Sequence, residues 1–188
     1  MTAPRQILPG NTYLVTRRCS ERRYFLRPSA LTNEIFLYAL AVAASRYGVL
    51  VHVFCVLSNH YHLLVTDPEA RLPAFMQYLD SLVARATNAS LGRWEGFWSS
   101  EASYSAVSHD STDDIVRKAA YVLANPVSAG LVQHGKEWPG LWTAPEQLGV
   151  ATLTAMRPKV FFRAKGSMPE SAELALSLPP GFASPPPA

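Results

Sequence analysis

Apolar residues recur along this chain with two periods, and the switches between them set out the expected elements. Thr12–Cys19 (TYLVTRRC) reads as a strand. Leu31–Tyr47 is rich in Ala and Leu and predicts a helix, with Gly48 where a helix-ending glycine belongs. Val49–Leu57 (VLVHVFCVL) is a continuous apolar, β-branched run and reads as a buried strand. Ser58-Asn59 predicts a tight turn, and Tyr61–Thr66 (YHLLVT) the return strand of a hairpin. From Leu72 to Leu91, Leu72, Phe75, Met76, Leu79, Leu82, Val83 and Ala86 fall on one stripe of a second helix. An aromatic loop, Trp94–Ser103, and a short strand, Tyr104–Val107, follow. Ser111-Thr112-Asp113-Asp114 resembles a capped helix start, and that helix is expected to run to Asn125, where Pro126 disturbs it.

The order β-α-β-β-α-β plus one more helix predicts an α+β fold: a ferredoxin-like antiparallel sheet with helices on one face and an extra C-terminal helix. A domain over 9–145 is expected. Residues 146–188 read as a basic, then Pro-rich extension, partly disordered, with Leu178–Ala188 (LPPGFASPPPA) as the disordered end.

Charge adds a hint of the partner. The 188 residues carry 17 Lys and Arg against 14 Asp and Glu, for a net charge of +3 and a pI of about 9.0. The surplus is concentrated at the ends. Six arginines (Arg5, Arg17, Arg18, Arg22, Arg23 and Arg27) face one acid within residues 1–27. Arg157, Lys159, Arg163 and Lys165 stand near the other end, interleaved with Phe161 and Phe162. Basic arms around a core suit a phosphate backbone, and solvated flexible ends account for them equally well. Cys19 and Cys55 form no CxxC pattern and read as buried reduced thiols. No apolar stretch is long enough to span a bilayer, and Met1–Gly10 has no apolar leader segment, so a cytoplasmic protein without membrane contact is expected.

Two constellations carry chemistry. His60 and His62 alternate on the return strand, so both imidazoles project to one face while Tyr61 points to the other, a natural site for a divalent cation. A pair of polar surface histidines explains the bare pattern as well. On the third helix Asp114, Lys118, Tyr121 and Asn125 share a stripe opposite the apolar residues. Two imidazoles and one amide oxygen can hold a metal and leave positions open for a phosphate. A phenol ionises only near pH 10, so Tyr121 needs help as a nucleophile, and Lys118 one turn earlier favours the phenolate. Asp114 caps the helix or pairs with Lys118. His52 reads as a packed core histidine, Tyr104 as a packing residue, and His109 and His134 as surface residues.

SNHYHLLV (58–65) resembles the HUH signature, and YVLANPVSAGLV (121–132) resembles the tyrosine-helix motif of the REP-associated tyrosine transposases. With the GRWEGFW segment (92–98) between them, the order is similar over about residues 9–145. The resemblance implies a ferredoxin-like domain, a Mg²⁺ or Mn²⁺ ion, and cleavage of single-stranded or hairpin DNA through a 5′-phosphotyrosine. His60, His62 and Asn125 would then be metal ligands and Tyr121 the nucleophile, in a monomer or homodimer. The family's third ligand is often Gln, one methylene longer than Asn125. Arg17, Arg18, Arg22 and Arg23 are the expected phosphate contacts and Trp94 a base-stacking residue. Arg157, Lys159, Arg163 and Lys165 are candidates to hold a folded-back hairpin. Two other readings compete: a DNA-hairpin-binding protein that has lost cleavage, and a small metal hydrolase using water.

Overall fold

The computed structural model describes residues 6–100, 103–163 and 165–182. Its elements run β1 (Asn11–Arg18), α1 (Ala30–Tyr47), β2 (Leu50–Val56), β3 (His60–Asp67), α2 (Leu72–Ser90), β4 (Ser105–His109), α3 (Thr112–Ser128), β5 (Thr152–Met156) and β6 (Ser171–Ala175). The first four strands make one antiparallel sheet in the order β2-β3-β1-β4, the ferredoxin-like arrangement expected from the sequence. Local chemistry sets the helix ends. Ser29 Oγ accepts from the Thr32 amide at the start of α1, and Gly48 ends it in the left-handed region at φ 67°. The fully buried Asp67 accepts from the Arg71 and Leu72 amides, satisfying the first orphan donors of α2.

The sheet is covered on both faces. Tyr13, Val15, Tyr61, Leu63 and Val65 point toward α1 and α2 and form the larger core. Leu64, Val53 and Cys55 point the other way and meet Ile115, Ala119 and Val122 of α3. Each fully buried aliphatic side chain contributes roughly 1.5–3 kcal/mol, so α3 is seated firmly by a small cluster. A bulge between Val51 and Val53 puts His52 on the α3 face next to Val53, a shift that simple alternation along the run does not show.

Helix α3 continues through Pro126 to Ser128, beyond the expected stop at Asn125. Pro126 is buried, and its ring removes the amide that would serve the Val122 carbonyl, while the carbonyls on either side of the break have donors from outside the regular helix ladder. The Trp142 indole donates to the Leu123 carbonyl at 2.8 Å, and the Leu131 amide to the Pro126 carbonyl at 3.0 Å.

The C-terminal extension is more ordered than its composition suggests. β5 and β6 form an antiparallel hairpin against α1, and Phe162 packs edge-on to Tyr38 at 5.1 Å. The Ser177 amide donates to the Val51 carbonyl, and Thr143 and Leu141 bond along the rest of β2, so the sheet edge is capped. Within the stretch expected to be disordered, Phe182 packs on the cluster beneath α3; residues 183–188 lie outside the described residues.

Candidate active site

Strand pairing builds the site. On the α3 face, Ser105, Thr16, His62 and Cys55 form one row across β4, β1, β3 and β2, and Arg18 lies opposite His60 in the next. The two imidazoles stand 4.9 Å apart at 89°, and the Tyr121 ring meets His62 edge-on at 5.3 Å. A cavity of about 590 Å³ opens here, lined by Leu14, Thr16, Arg17, Arg18, His62, Ser99, Ser103, Ser105, Lys118 and Tyr121.

The histidines are suited to hold a cation. Burial holds His60 below its usual range, helped by the Arg18 guanidinium. Burial, with His60 and Arg18 beside it, lowers His62 from 6.5 to about 4. Both rings are therefore neutral near pH 7, the form that binds metal. The Nε2 atom of His62 is buried with no hydrogen-bond partner, which in a polar site points to a missing ligand. Among the described residues no three His, Cys, Asp or Glu come together, so His60 and His62 are the two nitrogen donors available to a cation here. Asn125 is 7% exposed, on the side of α3 that carries Val122. Two imidazoles beside an open cavity suit a divalent cation that takes its remaining ligands from oxygen.

Tyr121 is 48% exposed and shares the cavity with Lys118. Asp114 does not pair with Lys118. It joins Ser111 at the helix start and Arg117 at 2.7 Å.

The arginines separate by strand alternation. Arg18 projects to the α3 face. Arg17 borders the cavity, but its guanidinium reaches to the α2 side: Nε lies 3.3 Å from Asp80 Oδ2, and the group sits over Trp98 at 5.5 Å. Asp80 also accepts from the Tyr61 hydroxyl at 2.6 Å, and burial raises its carboxyl to about 6. Arg22 flanks His60 and Asn59 in a small cleft, and Arg23 is exposed and paired with Glu21. Trp94 is 89% exposed, whereas Phe97 is buried and Trp98 donates its indole N–H to the Asp80 carbonyl. Arg157, Lys159, Arg163 and Lys165 are not brought to the cavity. They belong to the segment packed over α1 and α2, where Arg157 donates to the Met168 carbonyl, so they sit on the opposite layer.

Sequence reasoning missed Thr16, Ser99, Ser103 and Ser105. Thr16 and Ser105 enter through the register of β1 against β4, and Ser99 and Ser103 from the loop before β4, where the Ser99 amide donates to the Arg18 carbonyl; no local pattern encodes either. His52 is a core residue, as expected, with both ring nitrogens hydrogen-bonded.

No family model matches the sequence, and no curated protein matches it. Among solved structures, one of a REP-associated tyrosine transposase bound to a REP hairpin is similar: 17% identity over 74% of this chain and 81% of that one, with a TM-score of 0.62. A second, from Deinococcus radiodurans R1 and assigned as a transposase, has 19% identity over 65% of this chain and 95% of that one, with a TM-score of 0.44. The first likeness shows a shared fold and agrees with the family resemblance carried by the two motifs.

Proposed function

We propose that the protein is a metal-dependent, transposase-like endonuclease and strand transferase that nicks and rejoins single-stranded DNA at palindromic hairpins. The observation that carries this reading is the meeting of Tyr121 with His62, whose buried Nε2 lacks a partner, in a cavity ringed by cations and hydroxyls. The similar structure was solved with a REP hairpin, which supports hairpin DNA as the substrate.

The Tyr121 oxygen attacks the scissile phosphorus, and the P–O3′ bond breaks. Its electron pair stays on the 3′ oxygen, which takes a proton and leaves as a free 3′-OH, while the phenol's proton passes to solvent. Lys118 stabilises the phenolate. One phosphoester replaces another, so a 3′-OH can attack the 5′-phosphotyrosine and reverse the step without ATP. His60, His62 and Asn125 would hold Mg²⁺ or Mn²⁺, which when bound polarises the phosphate and offsets charge on its oxygens. Arg18, with Thr16, Ser99, Ser103 and Ser105, would grip the neighbouring backbone. The exposed Trp94 would stack on an unpaired base.

Strand polarity tests the reading. A hairpin oligonucleotide labelled on the 3′ side of its nick should pass that label to the protein, and the 5′ fragment should end in a free 3′-OH. A label transferred from the 5′ side, or hydrolysis with no protein-bound product, would refute it.

A further inference from the structure

The side chains behind the two histidines decide which ring nitrogen carries the proton. His60 Nδ1 lies 2.6 Å from Asn59 Oδ1. The orientation of that amide is fixed at its other end, where Nδ2 donates to the Arg22 carbonyl at 3.1 Å. A carbonyl only accepts, so Nδ2 must face Arg22 and Oδ1 must face His60. An amide oxygen also only accepts, so His60 Nδ1 carries the hydrogen and its Nε2 is left with a lone pair. The Arg22 carbonyl is itself delivered by two successive residues in the left-handed region, Glu21 at φ 52° and Arg22 at φ 56°. L side chains rarely adopt this conformation, and such outliers concentrate at functional sites. The turn is pinned further by the Cys19 amide donating to the Asn59 carbonyl at 2.8 Å.

His62 has a matching arrangement. Its Nδ1 lies 2.8 Å from Thr16 Oγ1, and its Nε2 is buried without a partner. A proton on Nε2 would strand a buried donor. A proton on Nδ1 goes to the threonine hydroxyl and leaves Nε2 bare for a cation.

We infer that Asn59 and Thr16 are positioning residues that lock His60 and His62 in the Nδ1–H tautomer, so that both Nε2 atoms are presented to a divalent cation. The inference rests on the proposed metal site but not on DNA cleavage. Partners of this kind typically change metal affinity about 10- to 100-fold when removed.

The test uses the full chain with ¹⁵N-labelled histidine, free of metal and DNA, at pH 8. Long-range ¹H–¹⁵N correlation reads the tautomer of each ring, and a Mn²⁺ titration reads affinity. Wild type should show both rings with Nδ1–H. Asn59→Ala should give His60 substantial Nε2–H character and weaken Mn²⁺ binding by about tenfold or more, while Asn59→Asp keeps the acceptor and the tautomer. Thr16→Val should release His62, and Thr16→Ser should restore it. Wild-type rings protonated on Nε2, or unchanged tautomers and Mn²⁺ affinity in both Asn59→Ala and Thr16→Val, would overturn the inference. Tautomers and Mn²⁺ binding as expected, with no covalent adduct on DNA, would count against strand transfer and leave this inference standing.

Discussion

Acidification should loosen this fold through His52, and the size of the effect follows from where that ring sits. His52 is fully buried. Its Nδ1 lies 2.9 Å from the Ser177 carbonyl and therefore donates; its Nε2, 2.8 Å from Thr66 Oγ1, accepts. Thr66 is in turn bonded to Thr12 at 2.7 Å, so a single proton arrangement ties the C-terminal segment to the sheet. Burial lowers the ring from 6.5 to about 4, with the Ser177 carbonyl opposing in part. As pH falls, the unfolded chain therefore takes up the proton first. The stabilisation is complete above about pH 6.5, shrinks between 6.5 and 4, and is gone below 4. At 1.36 kcal/mol per pH unit the full range is worth about 3 kcal/mol, and about 2.5 kcal/mol is lost by pH 4.5. Urea denaturation of metal-free wild type and His52→Gln at pH 7.5 and 4.5 measures it. His62 and the carboxylates titrate in both proteins and cancel in the comparison. Wild type should lose about 2.5 kcal/mol more than the variant between the two pH values. Equal losses in the two proteins would refute the reasoning.

Three further outcomes follow from the same structure. Leu64→Ala removes a fully buried contact beneath α3 and should cost about 2–5 kcal/mol in urea denaturation; a loss below about 0.5 kcal/mol would mean that α3 is not seated there. Arg18→Ala should reduce the salt dependence of single-stranded DNA binding by about one counterion. The double variant Lys159→Ala, Arg163→Ala, on the layer opposite the cavity, should leave that slope nearly unchanged, and the reverse ranking would place the DNA on the wrong side. Asn125→Ala should weaken Mn²⁺ binding in a direct titration without lowering thermal stability in the metal-free protein by more than about 1 kcal/mol; unaltered Mn²⁺ affinity would remove Asn125 from the donor set.

Much of the fold was legible because its elements announce themselves locally. The α2 stripe from Leu72 to Ala86, Gly48 behind α1 and the Ser-Asn turn before β3 are each set by neighbours in sequence. Alternation also aimed His60 and His62 to one face. What stayed hidden depends on register and distance. Arg17 and Arg18 are adjacent in sequence, but the pleat sends one to Asp80 and the other to the cavity. The bulge at His52 interrupts the alternation without any Gly or Pro to mark it. β5 and β6 were missed because each is five residues long and half exposed, set in a Pro-rich stretch, and held by contacts with α1 that lie far away in sequence. Asn59 read as a turn residue; its second role appears only when β3 is placed against the Arg22 carbonyl.

Covalent trapping tests the central claim most directly. Wild type, Tyr121→Phe and His62→Ala are each incubated with labelled hairpin-containing single-stranded DNA and Mn²⁺ or Mg²⁺, then resolved on a denaturing gel. The account predicts a protein–DNA adduct in wild type that disappears in both variants. DNA binding without an adduct across many hairpins, or an adduct that survives Tyr121→Phe, would contradict it.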